Sequence, residues 1–459
     1  MLKLYENNTF DACLIIKIKK AKTALTTSTM TKITDYYKSG CAFLMSILIV
    51  TSCNNSKQET GKIATSATAD SAAAEIKLPS GFAATIVADS LGTLRHLAVN
   101  KNGDIYVKLG TLKEGKGIYY LTDTDHDGRF DKRTGFGNYP GTGIRIKGNE
   151  LYASSNSGVY KYQLNDKGEV TDTGHAEMII QGLVDRGRDN AKAIAVDDNN
   201  NLYVAVGSYD ETCTDASGHG IVNCPLLDSV GGIWQFSTNK KTQSYPDAVH
   251  YARGLKNMVG LDWNAATNSL FAMQHGRGGL NAKFPKLYTE EQDKALPAET
   301  MYELHKGDDA GWPYVYYDPF QHKKIVAPEY GGDGKRSVEN KYINPVADFP
   351  AHLGPNDLLF YTGNMFPEKY KNGAFIVFHS QSQPLKKGYL VAFVPFKQGK
   401  PAGAWEVFAD NFTGVDLSKP NGAFHHRPMG IAQGPEGALY IADDLKGTIF
   451  KITYQGDKK

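Results

Sequence analysis

The sequence predicts an all-β chain, a six-bladed β-propeller with long inter-strand insertions. Three observations predict it. A hairpin-like unit recurs six times along the chain. The composition favours turns and strands, with 47 glycines and 26 tyrosines in 459 residues. No heptad pattern or long amphipathic helix stands out among these units.

The units follow one grammar. "LAVNKNGDIYVKLG" begins at Leu97, "IRIKGNELYASSN" at Ile144 and "IAVDDNNNLYVAVG" at Ile194. "LDWNAATNSLFAMQHG" begins at Leu261 and "IAQGPEGALYIADD" at Ile431, with a looser copy from Leu358. Each is a short apolar strand, a polar turn often holding Asn or Gly, and a second apolar strand, which is hairpin chemistry. Some copies run on into a third strand, as in "GVYKYQL" and "GTIFKITY". Such repeats build sandwiches, solenoids or propellers. The uneven spacing, with insertions such as Asn281 to Lys324, suits radial blades that accept long connections on one face. A seven- or eight-bladed wheel with unrecognised blades is the alternative. The strand "IFKITY" is placed to close the ring against "GFAATIVAD".

Three segments are expected: an export segment over 1–53, a flexible tether over 54–77, and the propeller over 78–459. The apolar run Ala42 to Val50 is too short to span a bilayer, which takes about 20 apolar residues. It ends in "VTSC", which resembles a bacterial lipoprotein signal with Cys53 as the lipidated residue. A plain secretory peptide with a chance cysteine is the other reading. The stretch before Met30 reads as an upstream extension or a long n-region. The Ser/Ala/Thr-rich segment after Cys53 reads as a tether. The expected location is therefore outside the cytoplasm, membrane-anchored through lipid, facing the periplasm or cell surface. In that oxidising compartment Cys213 and Cys224 are expected to pair, two free thiols being the alternative. A formal net charge of +2 argues against a nucleic-acid partner.

Three stretches carry candidate chemistry. "DTDHDGRFD" alternates Asp123, Asp125 and Asp127, turns at Gly128 and adds Asp131. That spacing can gather oxygens around a calcium ion in a structural role. Thr134 stands at the twelfth position, so it is not a full EF-hand, and an acidic hairpin without an ion is the plainer reading. In "YARGLKNMVGLDW…MQHGRGG", Lys256 and Asn257 precede one strand, and His275, Gly276 and Arg277 end the next. "RDNAKAIAV" brings Arg188, Asp189, Asn190 and Lys192 onto the lead-in to another strand. Strand ends of this kind line the mouth of a propeller.

The ordered set "GLKNMVGLDW", "QHGRGG", "GDDAGWPYVYYDPF", "PEYGGDG", "NDLLFYTGNMFP" and "RPMGIAQGPEGALYIADD" resembles the glucose/sorbosone dehydrogenase family. The resemblance runs from Leu78 to Tyr454 and is strongest to sorbosone dehydrogenase-like members. These are soluble-type quinoproteins that use pyrroloquinoline quinone (PQQ), and their fold is a six-bladed propeller. The resemblance implies PQQ and Ca2+ as cofactors. It places cofactor contacts at Lys256 and Asn257, with His275 beside the cofactor and calcium-binding carbonyls at Gly276 and Arg277. Arg253, Arg277, Arg427 and Lys192 are further candidates for the PQQ carboxylates. Lys256 stands where the family has Arg, which keeps the charge but loses the planar fork. The family histidine that takes the substrate proton falls at Asp189, or at Asn190 if the register slips by one. A second departure is the stretch "FHSQSQPLKKGY", shorter than in similar proteins and without their arginine. Trp312 is expected to pack a Gly/Pro-rich connection, or else to line the substrate mouth.

The leading expectation is an exported dehydrogenase oxidising an aldose or sugar aldehyde and passing electrons to a separate acceptor. A non-catalytic propeller binding a carbohydrate or protein partner is the alternative, favoured by the missing histidine. A calcium-dependent lactonase ranks last, because the acidic loop lies on a hairpin. A shared fold cannot choose among these. No GxSxG turn supports a serine hydrolase.

Overall fold

The computed structural model describes residues 73, 75–419 and 422–456. The expected export segment, with Cys53, lies outside them, as does most of the tether. Among the described residues no helix is long and apolar enough to cross a membrane.

Six four-stranded antiparallel units make the propeller. Blade 1 runs Leu94–Val99, Ile105–Lys113, Lys116–Thr122 and Lys132–Phe136, and blade 2 Ile144–Lys147, Glu150–Ser154, Val159–Gln163 and Glu177–Ile180. Blade 3 holds Ile194–Val196, Asn201–Val206, Gly232–Ser237 and Val249–Arg253, with Asp308–Asp309 added in parallel. Blade 4 holds Met258–Asn264, Ser269–Gln274, Glu299–Leu304 and Ala347–Phe349. Blade 5 holds Pro355–Phe360, Ala374–Ser382, Lys387–Val394 and Glu406–Ala409. Blade 6 holds Pro428–Gln433, Leu439–Asp443 and Ile449–Tyr454, and is completed by Phe82–Ala88.

Every recurring hairpin of the sequence is the inner strand pair of one blade. The ring closes as expected, Phe82 opposite Tyr454 and Ile86 opposite Phe450. Phe82 seals the joint with edge-on contacts to Phe366, Tyr370 and Phe408 at 4.8, 5.3 and 5.1 Å. Each such pair contributes about 0.5–1.5 kcal/mol beyond area burial. Ile76 is buried in the same cluster, and Lys77 pairs with Asp410.

Strands covered on both faces by neighbouring blades read as continuous apolar runs, not alternating ones. Ile105, Tyr106, Val107 and Leu109 are all buried. Neighbouring inner strands also approach closely. A Cβ at Gly430 would lie 2.5 Å from the Arg95 carbonyl oxygen, so glycine is required there.

Antiparallel alternation puts the start of each inner strand and the end of each second strand at one end of the ring, the mouth. In four blades the inner pair is irregular there, at Leu94/Leu97, Met258/Gly260, Pro355/Asp357 and Pro428/Gly430. Bulges re-aim side chains and are frequent beside active sites. Three insertions pack together beside this end, around the second strands of blades 3 and 4. The first holds the Cys213–Cys224 disulfide, against which Trp312 packs. The second holds the short helices Leu280–Lys283 and Glu290–Ala295, and the third the hairpin Val315–Asp318/Lys323–Val326. Tyr288 and Tyr316 join the last two through hydroxyls 3.0 Å apart.

Candidate active site

The blade 3 lead-in places Asp189 in the left-handed region, φ 47°, a conformation that Asp tolerates. Its Oδ2 accepts from Lys256 Nζ at 2.7 Å, and its Oδ1 from Asn257 Nδ2 at 3.2 Å. Lys256 is buried, and its Nζ also lies 3.3 Å from Glu211 Oε1. Glu211 joins the disulfide insertion to this cluster. It accepts from Gly278 N at 3.2 Å and pairs with Arg188, while its carbonyl accepts from the Trp312 indole at 3.0 Å. Trp312 is thus packed, as expected, and holds Glu211 in place.

Lys192 is buried with its Nζ on the Asn190 carbonyl at 3.0 Å and amide oxygen at 2.8 Å. Burial pulls its pKa down to about 8, against the raising field of Asp185. His275 donates from Nε2 to the Pro355 carbonyl at 2.8 Å, because a carbonyl can only accept. Burial, and then Lys256, hold its pKa down at about 4, so the imidazole is neutral with Nδ1 unprotonated. Gly276 donates its N–H to Glu299 Oε2 at 2.8 Å, and Gly354 donates to Oε1 at 3.2 Å. Burial raises the Glu299 pKa to about 7. A Cβ on Gly276 would stand 2.9 Å from the Pro297 carbonyl oxygen, so this loop needs glycine.

Across the mouth, Arg427 forks Asp444 through Nε at 2.7 Å and Nη2 at 3.0 Å. Asp444 also lies 3.4 Å from His379 Nε2. Arg95 of blade 1 faces this group; burial is the largest influence on it and lowers its pKa to about 10. His275 and His379 feel each other's field, which links the two halves of the mouth.

The structure therefore clusters Asp189, Lys256, Asn257 and His275 at the mouth, with Lys192 on the same lead-in as Asp189 and Arg427 at the same end of the ring. Two predicted cofactor residues turn away. Arg253 pairs with Asp309 at 2.9 Å at the outer edge of blade 3. Arg277 sends its guanidinium into the insertions, where it forks Glu329 at 2.7 and 2.8 Å with both side chains buried. Its backbone alone stays with Gly276 at the strand end. The acidic loop lies between the third and fourth strands of blade 1, at the end of the ring opposite the mouth. Carboxylate oxygens of Asp123, Asp125 and Asp131 come within 4.8 Å of one another. Asp127, expected with them, is outside this group and accepts from Arg129 N at 2.7 Å.

Sequence reasoning missed Glu211, Glu299, Arg95, His379 and Asp444. His379 lies in the shortened stretch already noted as unusual. The others carry no local signal, since their partners lie many residues away.

Residues 76–455 match the TrAA12-like family. The chain belongs to that family. A curated relative from Hypocrea jecorina (strain QM6a), named a pyrroloquinoline quinone-dependent sugar dehydrogenase, is 21% identical over 411 residues, covering 82% of this chain and 89% of that protein. An uncharacterized protein from Borreliella burgdorferi is 25% identical over 400 residues, covering 83% and 91%. Among solved structures, the calcium structure of a Trichoderma reesei carbohydrate-active enzyme of family AA12 superposes with a TM-score of 0.66 at 18% identity, over 83% of this chain and 97% of that one. The holo pyranose dehydrogenase PQQ domain from Coprinopsis cinerea gives 0.65 at 17%, over 82% and 97%. Both share the fold of this TrAA12-like chain. The resemblance drawn from the sequence motifs holds at the level of the family.

Proposed function

We propose that this TrAA12-like protein is a PQQ- and calcium-dependent dehydrogenase that oxidises an aldose or sugar aldehyde and passes electrons to a separate acceptor. The observation that carries the reading is the donor set gathered at the mouth. PQQ has three carboxylates, which call for cations and N–H donors. Lys192, Lys256, Arg95 and Arg427 supply the cations, and Asn257 an amide. The Asn257 Oδ1 atom is buried without a hydrogen-bond partner; as an acceptor it suits a ligand N–H or a cation, not a carboxylate. These residues fit such a ligand.

When bound, PQQ supplies a two-electron quinone acceptor. The chain supplies binding and orientation. Asp189 and Glu211 fix the Lys256 ammonium, so little ordering entropy remains to be lost when an anionic ligand arrives. Neutral His275, held by Pro355, adds no charge at the centre of the site. Glu299 anchors the 275–277 loop from below, leaving the carbonyls of Gly276 and Arg277 as candidate calcium ligands. The Asp123–Asp125–Asp131 group is a second candidate, with a structural role. Export and anchoring through Cys53 belong to the same proposal and rest on the Ala42–Val50 run.

A specific observation favours a second reading, a binding propeller without turnover: Asp189, where the resemblance puts the family histidine unless the register slips to Asn190, has both oxygens engaged. A titration separates the two. PQQ is added to the purified protein with and without calcium, bound-cofactor absorbance is followed, and a panel of aldoses is then supplied. The dehydrogenase reading expects calcium-dependent binding and sugar-driven bleaching. Tight binding without bleaching by any sugar favours the second reading, and absence of binding at saturating PQQ rejects the quinoprotein.

A further inference from the structure

We propose that His379, held between Pro428 and Asp444, is the group that takes the substrate hydroxyl proton, in place of the histidine missing from the blade 3 lead-in. The inference rests on the dehydrogenase reading.

Asp189, His275 and His379 are proton acceptors at the mouth, and their partners differ. Asp189 already accepts two hydrogen bonds, and a proton arriving there would meet the Lys256 ammonium on Oδ2 at 2.7 Å. His275 has its free Nδ1, but its ring feels Lys256 more strongly than Asp189, which opposes a second positive charge. His379 is built differently. Its Nδ1 lies 2.9 Å from the Pro428 carbonyl, an acceptor only, so Nδ1 carries the hydrogen and Nε2 keeps its lone pair. Nε2 stands 3.4 Å from Asp444 Oδ2, the carboxylate that would stabilise an imidazolium. Asp444 cannot swing away, because Arg427 forks it at 2.7 and 3.0 Å. Unlike a Ser-His-Asp triad, where the acid holds the other ring nitrogen, Asp444 faces Nε2 itself, so a proton taken there would be shared with its carboxylate.

The backbone prepares the position. The pairing of Ala374–Ser382 with Lys387–Val394 shifts between Phe378 and Gln381, so His379 sits at an irregularity of its blade. Its side chain is 19% exposed, against 5% for Asp444. The imidazole thus keeps an open edge while its partner is sealed. The charged and titratable groups facing it are Asp444 and Arg427 from blade 6, Arg95 from blade 1 and His275 from blade 4. Burial is the largest influence and lowers its pKa, which keeps the ring neutral and ready to accept at neutral pH.

For an aldose the step balances simply. With PQQ bound, its quinone would accept the C1–H hydrogen with its electron pair as hydride, a two-electron reduction. The C1 hydroxyl proton goes to His379 Nε2, and the new carbon–oxygen double bond completes a lactone. Asp444 is the positioning residue.

The test has two arms. Nitrogen-15 NMR of the imidazoles in the PQQ-free protein should show His379 protonated on Nδ1 and titrating below an ordinary histidine. A proton on Nε2 at neutral pH would overturn the assignment, whatever the activity. In the PQQ-loaded protein, His379→Gln should bind PQQ as the wild type does but reduce it with sugar at least about 100-fold more slowly. Asp444→Asn should move the acid limb of the pH–rate profile to lower pH, because it removes the group that raises the histidine pKa. Asp189→Asn should leave that limb in place. Near-normal reduction by His379→Gln, or loss of the limb in Asp189→Asn alone, would refute the proposal. Failure of the wild type to bind PQQ would reject the function itself, and the absorbance titration distinguishes that outcome.

Discussion

The buried fork between Arg277 and Glu329 gives a stability prediction with a worked magnitude. The two bonds measure 2.7 and 2.8 Å, and the side chains are 5% and 2% exposed. Such a pair has surrendered its hydration, so each charge depends on the other. Arg277→Met strands the Glu329 carboxylate in the insertions and should cost about 3–5 kcal/mol of unfolding free energy. Replacing both partners, as Arg277→Met with Glu329→Leu, removes the stranded charge and should return stability to within about 1 kcal/mol of wild type, or above it. The coupling energy from the double-mutant cycle is then at least about 2 kcal/mol. Urea unfolding followed by tryptophan fluorescence reads this directly, since Trp312 packs in the neighbouring insertion. A loss below about 1 kcal/mol for Arg277→Met, or a double variant as weak as the single one, would refute the reasoning.

Other outcomes follow from the same geometry. His96 is fully buried and held at a pKa of about 4, chiefly by burial, against an ordinary value of 6.5. A depressed base makes the unfolded state the better proton binder below 6.5, so stability present above pH 6.5 is lost on acidification toward pH 4. The loss is on the order of 3 kcal/mol, and His96→Gln should flatten that part of the urea-midpoint profile; an unchanged slope would contradict it. Lys192→Met should keep the fold while weakening PQQ binding about tenfold or more by absorbance titration, through loss of one charge-assisted bond. Unchanged affinity would remove Lys192 from the site. Cys213 and Cys224 close a short loop, separated by 11 positions. Replacing both by Ser should cost about 3 kcal/mol in thermal or urea unfolding, and no loss would show that the packing of Trp312 alone holds the insertion.

The inner hairpins were legible because they obey a local rule: apolar strands joined across Asn- or Gly-bearing turns. Ring closure was legible for the same reason, since both partner segments read as strands. The mouth was legible in part. Lys256, Asn257 and His275 lie on one continuous motif, and the structure keeps them together. What escaped depends on contacts far apart in sequence. Arg277 looks like a cofactor ligand until Glu329, 52 residues on, takes its guanidinium. Glu211 carries no signal until the disulfide insertion folds onto Lys256. The four irregular inner pairs were invisible because a register shift belongs to two strands, not to one. Asp127 matched the spacing of a cation loop, but its carboxylate turns to the Arg129 amide.

A crystal structure of the protein grown with PQQ and calcium tests the central claim most directly. The account predicts PQQ at the mouth of the channel, with carboxylates bonded by Lys256 and by Lys192 or Arg427, and calcium on the Gly276 carbonyl. A mouth without PQQ at saturating concentration, or PQQ bound elsewhere on the propeller, would contradict it.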